Sequence, residues 1–304
     1  MTPKIWFADF WPGFEPSSCY LYRLLALHHG AVLSEEPEYL VYSVFGRAHL
    51  DDPRYDRCVK ILWTGESVSP DFSVCDYALS HDYGDDPRNL RWPIYVERLA
   101  QVDRVPGSSL LLASRPVQAP RSRFCCRLVS NGGCAERNDF FHLLSCYRQV
   151  DSGGAHLNNI GYRVPDGDKM SHMSQYKFAL AFESCSRPGY VTEKLADALL
   201  AGCVPIYWGS PRVADDFDPR SFINLHDCGS RAEAVRRVVE ADRSDAVLER
   251  YLGAPRLPGD RLTDYCRPSR VIDFFAKIFA DREPRLRGRV PLARTVGLGW
   301  SRTA

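Results

Sequence analysis

The sequence predicts an α/β fold in two domains, each built on a parallel sheet. Short apolar runs of strand length alternate with segments whose apolar residues recur at helical spacing. Residues 176–211 contain a complete strand–loop–helix–strand unit, which requires parallel pairing of its two strands through a right-handed crossover. The chain has 304 residues, a length that suits two domains of ordinary size.

The first half of the chain predicts one α/β domain, which we place at residues 1–120. Apolar runs bounded by turn residues predict strands at residues 4–10, 39–44, 59–63 and 77–80. Leucines at helical spacing predict a helix over residues 20–28. Residues 101–121 are rich in Pro, Ser and Arg, so we expect the domain boundary near residue 120.

The second half predicts another α/β domain at residues 121–265, followed by a closing helix and a basic tail at residues 266–304. The same patterns predict strands at residues 124–129, 178–182, 204–208 and 222–225. They predict helices at residues 137–147, 192–200, 232–240, 245–252 and 271–279. Gly202 is placed to end the helix at residues 192–200.

The unit at residues 176–211 also places reactive groups at the end of its first strand. Ligands of parallel α/β units bind beyond the carboxyl ends of strands, at helix N-termini. Here that position holds Tyr190, Thr192, Glu193 and Lys194, whose charges and free amides suit a nucleotide diphosphate and its ribose. Lys194 could instead be a solvent-facing lysine. The helix dipole disfavours a cation in the first turn by roughly 0.3–1 kcal/mol, however, which favours a bound anion.

The composition excludes several classes of function. A net charge of +1 and a charged fraction of 25% indicate a globular protein without general affinity for nucleic acid or membranes. No apolar stretch suits a membrane-spanning helix or a signal peptide, so we expect a cytoplasmic protein. The 11 cysteines include no C-x-x-C pair, which favours free thiols over a structural zinc site. No G-x-G-x-x-G follows a predicted strand, which counts against a dinucleotide oxidoreductase.

Three blocks of the sequence resemble one known family. Residues 176–211 contain Y-K-F-x-L-x-F-E, P-G-Y-V-T-E-K and V-P-I-Y-W-G-S-P in that order. Residues 62–67 read L-W-T-G-E-S, and residues 150–161 run from V-D-S-G-G to N-N-I-G. These blocks resemble the α1,3/4-fucosyltransferases of glycosyltransferase family 10, most closely the soluble bacterial α1,3-fucosyltransferases. Their order and spacing agree over most of the chain.

The resemblance implies a GT-B arrangement, in which two Rossmann-like α/β domains face each other across a cleft. The first domain would hold the acceptor, the second would hold GDP-fucose, and the helix at residues 271–279 would cross back to the first. The implied reaction is inverting α1,3 transfer of L-fucose to a GlcNAc hydroxyl of a lactosamine-type oligosaccharide, without an obligatory metal or cofactor. Alternatives are α1,4 regiochemistry, a different nucleotide-sugar donor, or a non-catalytic GDP- or glycan-binding protein.

The resemblance also assigns roles to single residues. Glu66 matches the family's proposed general base, Lys194 the contact to the diphosphate, and Glu193 the contact to the ribose. Other donor-side positions are matched by Asn131, Arg137, Asn158, Ser184, Tyr190 and Thr192. Trp11 and Phe14 follow the first predicted strand, where an acceptor sugar could stack on an aromatic ring. The alternatives are a solvated loop position for Glu66 and ordinary burial for both aromatic residues.

Two positions depart from the family pattern. Leu157 stands where close bacterial relatives have an arginine that reaches the phosphates, and Ser184 stands where they usually have asparagine. The first change removes a cation that would stabilise a leaving diphosphate. His156 or Arg187 could replace it. We favour Arg187 because it lies on the donor loop, although it could also be an ordinary exposed loop arginine.

Two charged segments carry less specific implications. His81 and the neighbouring Asp82, Asp85 and Asp86 could suggest a metal, but we expect a solvated turn there. Arginines beyond residue 280 form a basic tail that could contact acidic lipids at the inner membrane, or could simply be disordered. They include Arg282, Arg285, Arg287, Arg289 and Arg294.

Overall fold

The described part of the chain contains two β-sheets in which every neighbouring pair of strands is parallel. The structure, a computed structural model, describes residues 2–102, 121–261 and 263–281. Parallel sheets need crossover helices on their faces, so their strands are covered on both sides and read as continuous apolar runs. Burial on both faces explains why the strands of this protein are continuous apolar runs in the sequence.

The first sheet is formed by the first hundred residues. Its strands are β1 Lys4–Ala8, β2 Val32–Leu33, β3 Tyr39–Tyr42, β4 Val59–Trp63, β5 Tyr77–Ser80 and β6 Asn89–Arg91. The strand order is β2-β1-β3-β4-β5-β6. The helices of this half are α1 Tyr20–His29, α2 Ala48–Asp51 and α3 Ile94–Val102. All residues of β3 and β4 are buried, as expected for central strands covered on both faces.

The second sheet is formed after residue 121. Its strands are β7 Arg123–Arg127, β8 Val150–Ser152, β9 Tyr176–Phe182, β10 Val204–Trp208 and β11 Ile223–Asn224. The helices are α4 Ala135–Ser145, α5 Lys169–Met173, α6 Glu193–Ala201, α7 Arg231–Arg243, α8 Asp245–Gly253 and α9 Pro268–Ala280. The strand order is β11-β10-β9-β7-β8. The chain places β8 on one side of β7 and then continues with β9 on the other side of β7. The crevice beyond the carboxyl ends of β7 and β9 is therefore the topological switch point, where open α/β sheets bind ligands.

Most predicted elements are present, with ends that differ by a few residues. β4, β5 and β10 have the predicted bounds. α6 ends at Gly202, whose left-handed φ of 74° is the conformation expected of a C-terminal glycine. β1 ends at Ala8 rather than at residue 10, because Asp9 leaves the extended region with a φ of 60°. The prediction missed β2, β6 and β8, which are only two or three residues long, and the helix α3.

The two halves of the chain meet at the carboxyl edges of both sheets. Ser67, after β4, lies 3.0 Å from the Cys185 thiol, which follows β9. Arg91, at the end of β6, forms a 2.7 Å ion pair with Asp216 of the second half. These contacts close one end of a cleft whose walls are the loops after β4, β5 and β9.

The C-terminal helix α9 packs against the first half of the chain. His29 Nε2 lies 3.0 Å from the carbonyl oxygen of Ile272, and the ring centroids of Tyr39 and Phe279 lie 4.8 Å apart. The division into domains at residues 1–120, 121–265 and 266–304 stays a prediction, because its first boundary lies outside the described residues. The predicted basic tail also lies outside them, beyond residue 281.

Two further observations concern the whole described part of the chain. Within it, no helix is long and apolar enough to cross a membrane. All 11 cysteines are free thiols, and Cys75, Cys125 and Cys203 are buried as the sequence predicted. The pattern of the sequence had suggested a core-strand position for Cys185 as well as for these three, but Cys185 lies half-buried in the loop after β9 because the strand ends at Phe182.

Candidate active site

A buried carboxylate organises the loop between β9 and α6. Glu183 directly follows β9 and is fully buried. Its Oε1 accepts a hydrogen bond from the Thr192 amide and its Oε2 accepts one from the Thr192 hydroxyl, both at 2.7 Å. Oε2 also lies 3.2 Å from Lys194 Nζ. The loop therefore folds back on the strand that precedes it and fixes the start of α6.

Lys194, at the start of α6, is paired with the carboxylates of Glu183 and Glu193. Its ammonium donates to the Thr192 hydroxyl at 2.9 Å and lies 3.6 Å from Glu193 Oε1, and 30% of its side chain is exposed. Burial lowers the pKa of Lys194, but the carboxylates of Glu183 and Glu193 outweigh this effect and raise it. Burial raises the pKa of Glu193, and Lys194 outweighs that effect and lowers it. Both side chains are therefore charged at neutral pH.

The first turn of α6 receives no cap from the side chain that precedes it. Thr192 occupies the N-cap position, yet its side chain bonds to Glu183 and caps no amide of the helix. Unsatisfied first-turn amides and the helix dipole together favour an anion. Tyr190 is buried beside this turn, and its hydroxyl lies 3.2 Å from the hydroxyl of the exposed Ser184.

Glu66 faces this cluster from the first half of the chain. Its amide donates to the Thr64 hydroxyl at 2.9 Å, which turns the chain just after β4. The side chain is half-buried rather than freely solvated. Burial raises the pKa of Glu66, Lys194 lowers it and Glu193 raises it. A carboxylate of the first half and a cation of the second half therefore act on each other across the cleft.

The loop after β7 forms the other wall of the switch point. Asn131 is exposed, and its side chain accepts a hydrogen bond from the Gly133 amide at 2.8 Å. Arg137, in the first turn of α4, is buried and donates to the Asn131 carbonyl. Burial lowers the pKa of Arg137, and the charges of Cys134, Glu183 and Tyr190 oppose that effect.

Comparison with known proteins decides the family. The model of the alpha-(1,3)-fucosyltransferase FucT N-terminal domain matches residues 5–97, and the model of the glycosyltransferase family 10 (fucosyltransferase) C-terminal region matches residues 118–253. The chain belongs to glycosyltransferase family 10. The family resemblance predicted from the three sequence blocks is confirmed.

Individual relatives agree with this assignment. The alpha-(1,3)-fucosyltransferase FucT of Helicobacter pylori is 32% identical over 268 residues, which cover 76% of this chain and 55% of that protein. The GDP-fucose protein O-fucosyltransferase 3 of Gallus gallus is 33% identical over 177 residues, which cover 54% of this chain and 37% of that protein. The chain thus spans about half the length of the first relative and less of the second.

Solved structures show the same architecture. A crystal structure of an alpha1,3-fucosyltransferase with GDP-fucose matches with a TM-score of 0.76 at 29% identity, covering 91% of this chain and 90% of that one. A second crystal structure of an alpha1,3-fucosyltransferase matches with a TM-score of 0.79 at 28% identity. The predicted GT-B fold, with two Rossmann-like domains across a cleft, is confirmed.

The loop at residues 153–161 departs from the family pattern as the sequence indicated. Leu157 has a φ of 53° and packs against the core of the second sheet, so this position offers no charge to a ligand. Asn158 is occupied within its own loop: its amide nitrogen donates to the carbonyls of Gly154 and Tyr162, both at 2.8 Å. We therefore see Asn158 as a residue that holds the loop, and its predicted contact to the donor stays a prediction.

Arg187, the predicted replacement for the missing arginine, is paired in this structure. Its guanidinium donates to the carboxylate of Asp82 and to the Ser69 hydroxyl, both from the first half of the chain. A contact between Arg187 and a phosphate would require this pair to open when the donor binds. The hypothesis stays a prediction with that added condition.

The expectation of a solvated turn was wrong for His81, whereas Asp85 is exposed as expected. His81 is fully buried, and burial followed by the nearby Arg91 lowers its pKa to about 3, so the ring is neutral. Its ring stacks edge-on with Tyr190, with centroids 4.9 Å apart. Asp82 pairs with Arg187, and Asp86 pairs with Arg88. Within the described residues, no three His, Cys, Asp or Glu side chains are grouped to hold a metal ion.

Aromatic rings line the carboxyl edge of the first sheet. Phe14 stacks on Phe10 with centroids 4.1 Å apart, and is only partly buried. Trp11 is 40% exposed, which is more than ordinary burial would leave, and its ring lies 6.1 Å from that of Phe45. Phe45 is 46% exposed. These rings lie beside the switch point between β1 and β3, where the first sheet reverses its strand order.

Three residues of the site were not predicted to act there. Glu183 was seen only as the end of a strand, although a carboxylate at the carboxyl end of a buried strand was a usable signal. Phe45 directly follows the strand predicted at residues 39–44 and has no motif around it. Arg127 lies inside a strand-like run, and nothing in the sequence distinguished it from a surface arginine.

Proposed function

We propose that this chain is an inverting α1,3-fucosyltransferase that moves L-fucose from GDP-fucose to a GlcNAc hydroxyl of a lactosamine-type oligosaccharide. The observation that carries the proposal is the placement of Glu66 just after β4, near enough to Lys194 at the start of α6 for that ammonium to lower the pKa of Glu66. A base from one domain and a diphosphate-binding cation from the other are the two groups that a direct sugar transfer needs. Family membership and the match to a structure with GDP-fucose support the donor.

In the proposed reaction, Glu66 accepts the proton of the acceptor hydroxyl as its oxygen attacks C1 of fucose. The C1–O bond to the β-phosphate breaks, and its electron pair leaves with GDP. Attack from the face opposite the leaving group inverts the anomeric centre. The products are the fucosylated acceptor, GDP and a proton on Glu66. Its raised pKa makes this carboxylate a stronger base than an exposed glutamate.

On the donor side, Lys194 and the N-terminus of α6 stabilise the charge that develops on the diphosphate. Glu193, whose side chain is 41% exposed, is available to accept hydrogen bonds from the ribose hydroxyls. Tyr190, Ser184 and Asn131 lie around the same crevice and complete the proposed donor contacts. Because Lys194 is already held by Glu183 and Thr192, little reorganisation is needed when the donor binds.

On the acceptor side, Trp11 and Phe14 offer an aromatic face at the carboxyl edge of the first sheet. Sugar rings have apolar faces that pack on such side chains, while their hydroxyls remain free to bond elsewhere. The exposed Phe45 extends this surface. We assign it to the sugar that carries the reacting hydroxyl or to its neighbour in the oligosaccharide.

The test is a binding panel followed by a transfer assay. Calorimetry with GDP-fucose, GDP-mannose, UDP-galactose and NAD should show the highest affinity for GDP-fucose. Incubation with GDP-fucose and N-acetyllactosamine should give a product whose α1,3 linkage is read by NMR. Preference for another nucleotide sugar would contradict the donor, an α1,4 product would contradict the regiochemistry, and GDP-fucose binding without transfer to any glycan would identify a binding protein.

A further inference from the structure

Two buried arginines at the switch point have no acidic partner among the residues that the structure describes. Arg127, the last residue of β7, is fully buried, and Arg137 in α4 is 3% exposed. Arg127 donates to the Ser152 hydroxyl at 3.3 Å, the His156 carbonyl at 2.9 Å and the Asn138 side chain at 2.8 Å. Arg137 donates to the Asn131 carbonyl. The Nε of each is buried without a hydrogen-bond partner.

Such an arrangement is unfavourable in the absence of a ligand. A buried charge is normally paired, as Arg91 is with the buried Asp216. Burial, and then the neighbouring Arg137, lower the pKa of Arg127 to about 10, so both guanidiniums remain charged at neutral pH and repel each other. A local conflict of this kind is expected where a functional anion compensates it.

The position of the pair fits an anion in the same crevice as Lys194. Both arginines lie near the carboxyl end of β7, on one side of the switch point. Glu183, Thr192 and Lys194 lie on the other side, at the carboxyl end of β9 and the start of α6. α4 begins beside them, and Cys134 at its N-cap makes no side-chain cap hydrogen bond, which leaves first-turn amides free. The loop at residues 153–161 packs directly on this wall: a Cβ on Gly154 would lie 2.0 Å from the Val129 carbonyl oxygen.

We propose that Arg127 and Arg137 supply the positive charge for the donor diphosphate that Leu157 cannot. Lys194 is already balanced by Glu183 and Glu193, so a diphosphate needs a further cationic source. Arg137 contacts a phosphate directly. Arg127 is a positioning residue: it orients Asn138 and the loop at residues 153–161 through its hydrogen bonds. Its positive charge adds to that of Arg137 without touching the phosphate. Binding of a nucleotide rests on the proposed function, whereas binding of the diphosphate group itself does not.

The experiment compares Arg127→Gln, Arg127→Lys and Arg137→Gln with the unmodified protein. Calorimetry is run with inorganic pyrophosphate, GDP and guanosine. Arg123→Gln is the matched control, because Arg123 lies at the opposite end of β7 and already pairs with Asp151. We expect both glutamine variants to weaken pyrophosphate and GDP binding by about 10- to 100-fold. Guanosine binding should change little, Arg127→Lys should retain most of the affinity, and the control should be unaffected.

Equal losses for guanosine and GDP would overturn the proposal, since they would mean that the arginines only shape the loops. Unchanged pyrophosphate affinity in both glutamine variants would overturn it as well. If Arg127→Gln does not fold, Arg137→Gln decides: affinity for pyrophosphate close to that of the unmodified protein refutes the site. Unmodified protein that binds pyrophosphate but neither GDP nor guanosine would refute the proposed donor and leave the diphosphate site standing.

Discussion

The ammonium of Lys194 lies 3.2 Å from the fully buried carboxylate of Glu183, and the Thr192 hydroxyl bonds to both. The three side chains form a closed triangle at the start of α6. Lys194 is consequently held in place before any donor binds. A fixed ammonium group stabilises a transition state more than a mobile surface lysine does, because it need not be reoriented during the reaction.

Thr192→Val should loosen the triangle. It removes the hydroxyl that bonds to Glu183 and Lys194 while it keeps the size of the side chain, so the buried carboxylate loses a donor. We expect a loss of about 1–3 kcal/mol in the free energy of unfolding, together with weaker GDP binding. Thr192→Ser keeps the hydroxyl and should behave like the unmodified protein. Urea unfolding and calorimetry measure both effects, and equal behaviour of the two variants would show that the hydroxyl has no role.

Lys194→Ala should weaken GDP binding and slow transfer together, because the negative charge on the leaving diphosphate grows as the bond to C1 breaks. The loss of turnover should be on the order of 10²–10³-fold, as for removal of one transition-state charge contact. Lys177→Ala is the control, since Lys177 is the second residue of strand β9, at the end opposite the crevice, and pairs with Asp242. Unchanged GDP affinity in Lys194→Ala would identify Lys194 as an ordinary lysine.

The pH dependence should report Glu66. A general base must be ionised, so kcat/KM falls as the pH drops through its pKa, and burial places that pKa above the ordinary value. Lys194 lowers this pKa and Glu193 raises it. Lys194→Met should therefore move the acid limb of the profile to higher pH, and Glu193→Gln should move it to lower pH. An acid limb that stays in place in both variants would show that Glu66 is not the titrating base.

Asp216→Asn should destabilise the contact between the two domains. Asp216 accepts from both Nη atoms of Arg91, at 2.7 and 2.9 Å, and from the Tyr95 hydroxyl at 2.8 Å. The neutral side chain leaves Arg91 buried without a counter-ion, at a cost of about 3–5 kcal/mol. Asp51→Asn, in the exposed pair with Arg47, should change the unfolding transition little. If thermal unfolding shows the same loss of stability in Asp216→Asn and Asp51→Asn, the buried pair stabilises the protein no more than the exposed pair does.

The sequence predicted what depends on local pattern. The strand, turn and helix of residues 176–211 follow from apolar spacing and from Gly202, and the structure has them within two residues. What the sequence could not supply are partners distant in the chain. Arg91 meets Asp216 across 125 positions, and Arg187 meets Asp82 across 105. Whether an arginine such as Arg127 is exposed, paired or buried alone depends on the packing of β7 against β8 and β9. The spacing of apolar residues along the sequence does not report this packing.

The most direct test of the account is Glu66→Gln, with GDP-fucose affinity and transfer rate measured on the same preparation. The base acts on the acceptor hydroxyl and the donor is held by the other domain, so the dissociation constant for GDP-fucose should stay nearly unchanged. That unchanged affinity also shows that the variant is folded. Transfer should fall by about 10²–10⁴-fold. Turnover close to that of the unmodified protein would contradict the assignment of Glu66 as the base and, with it, the proposed mechanism.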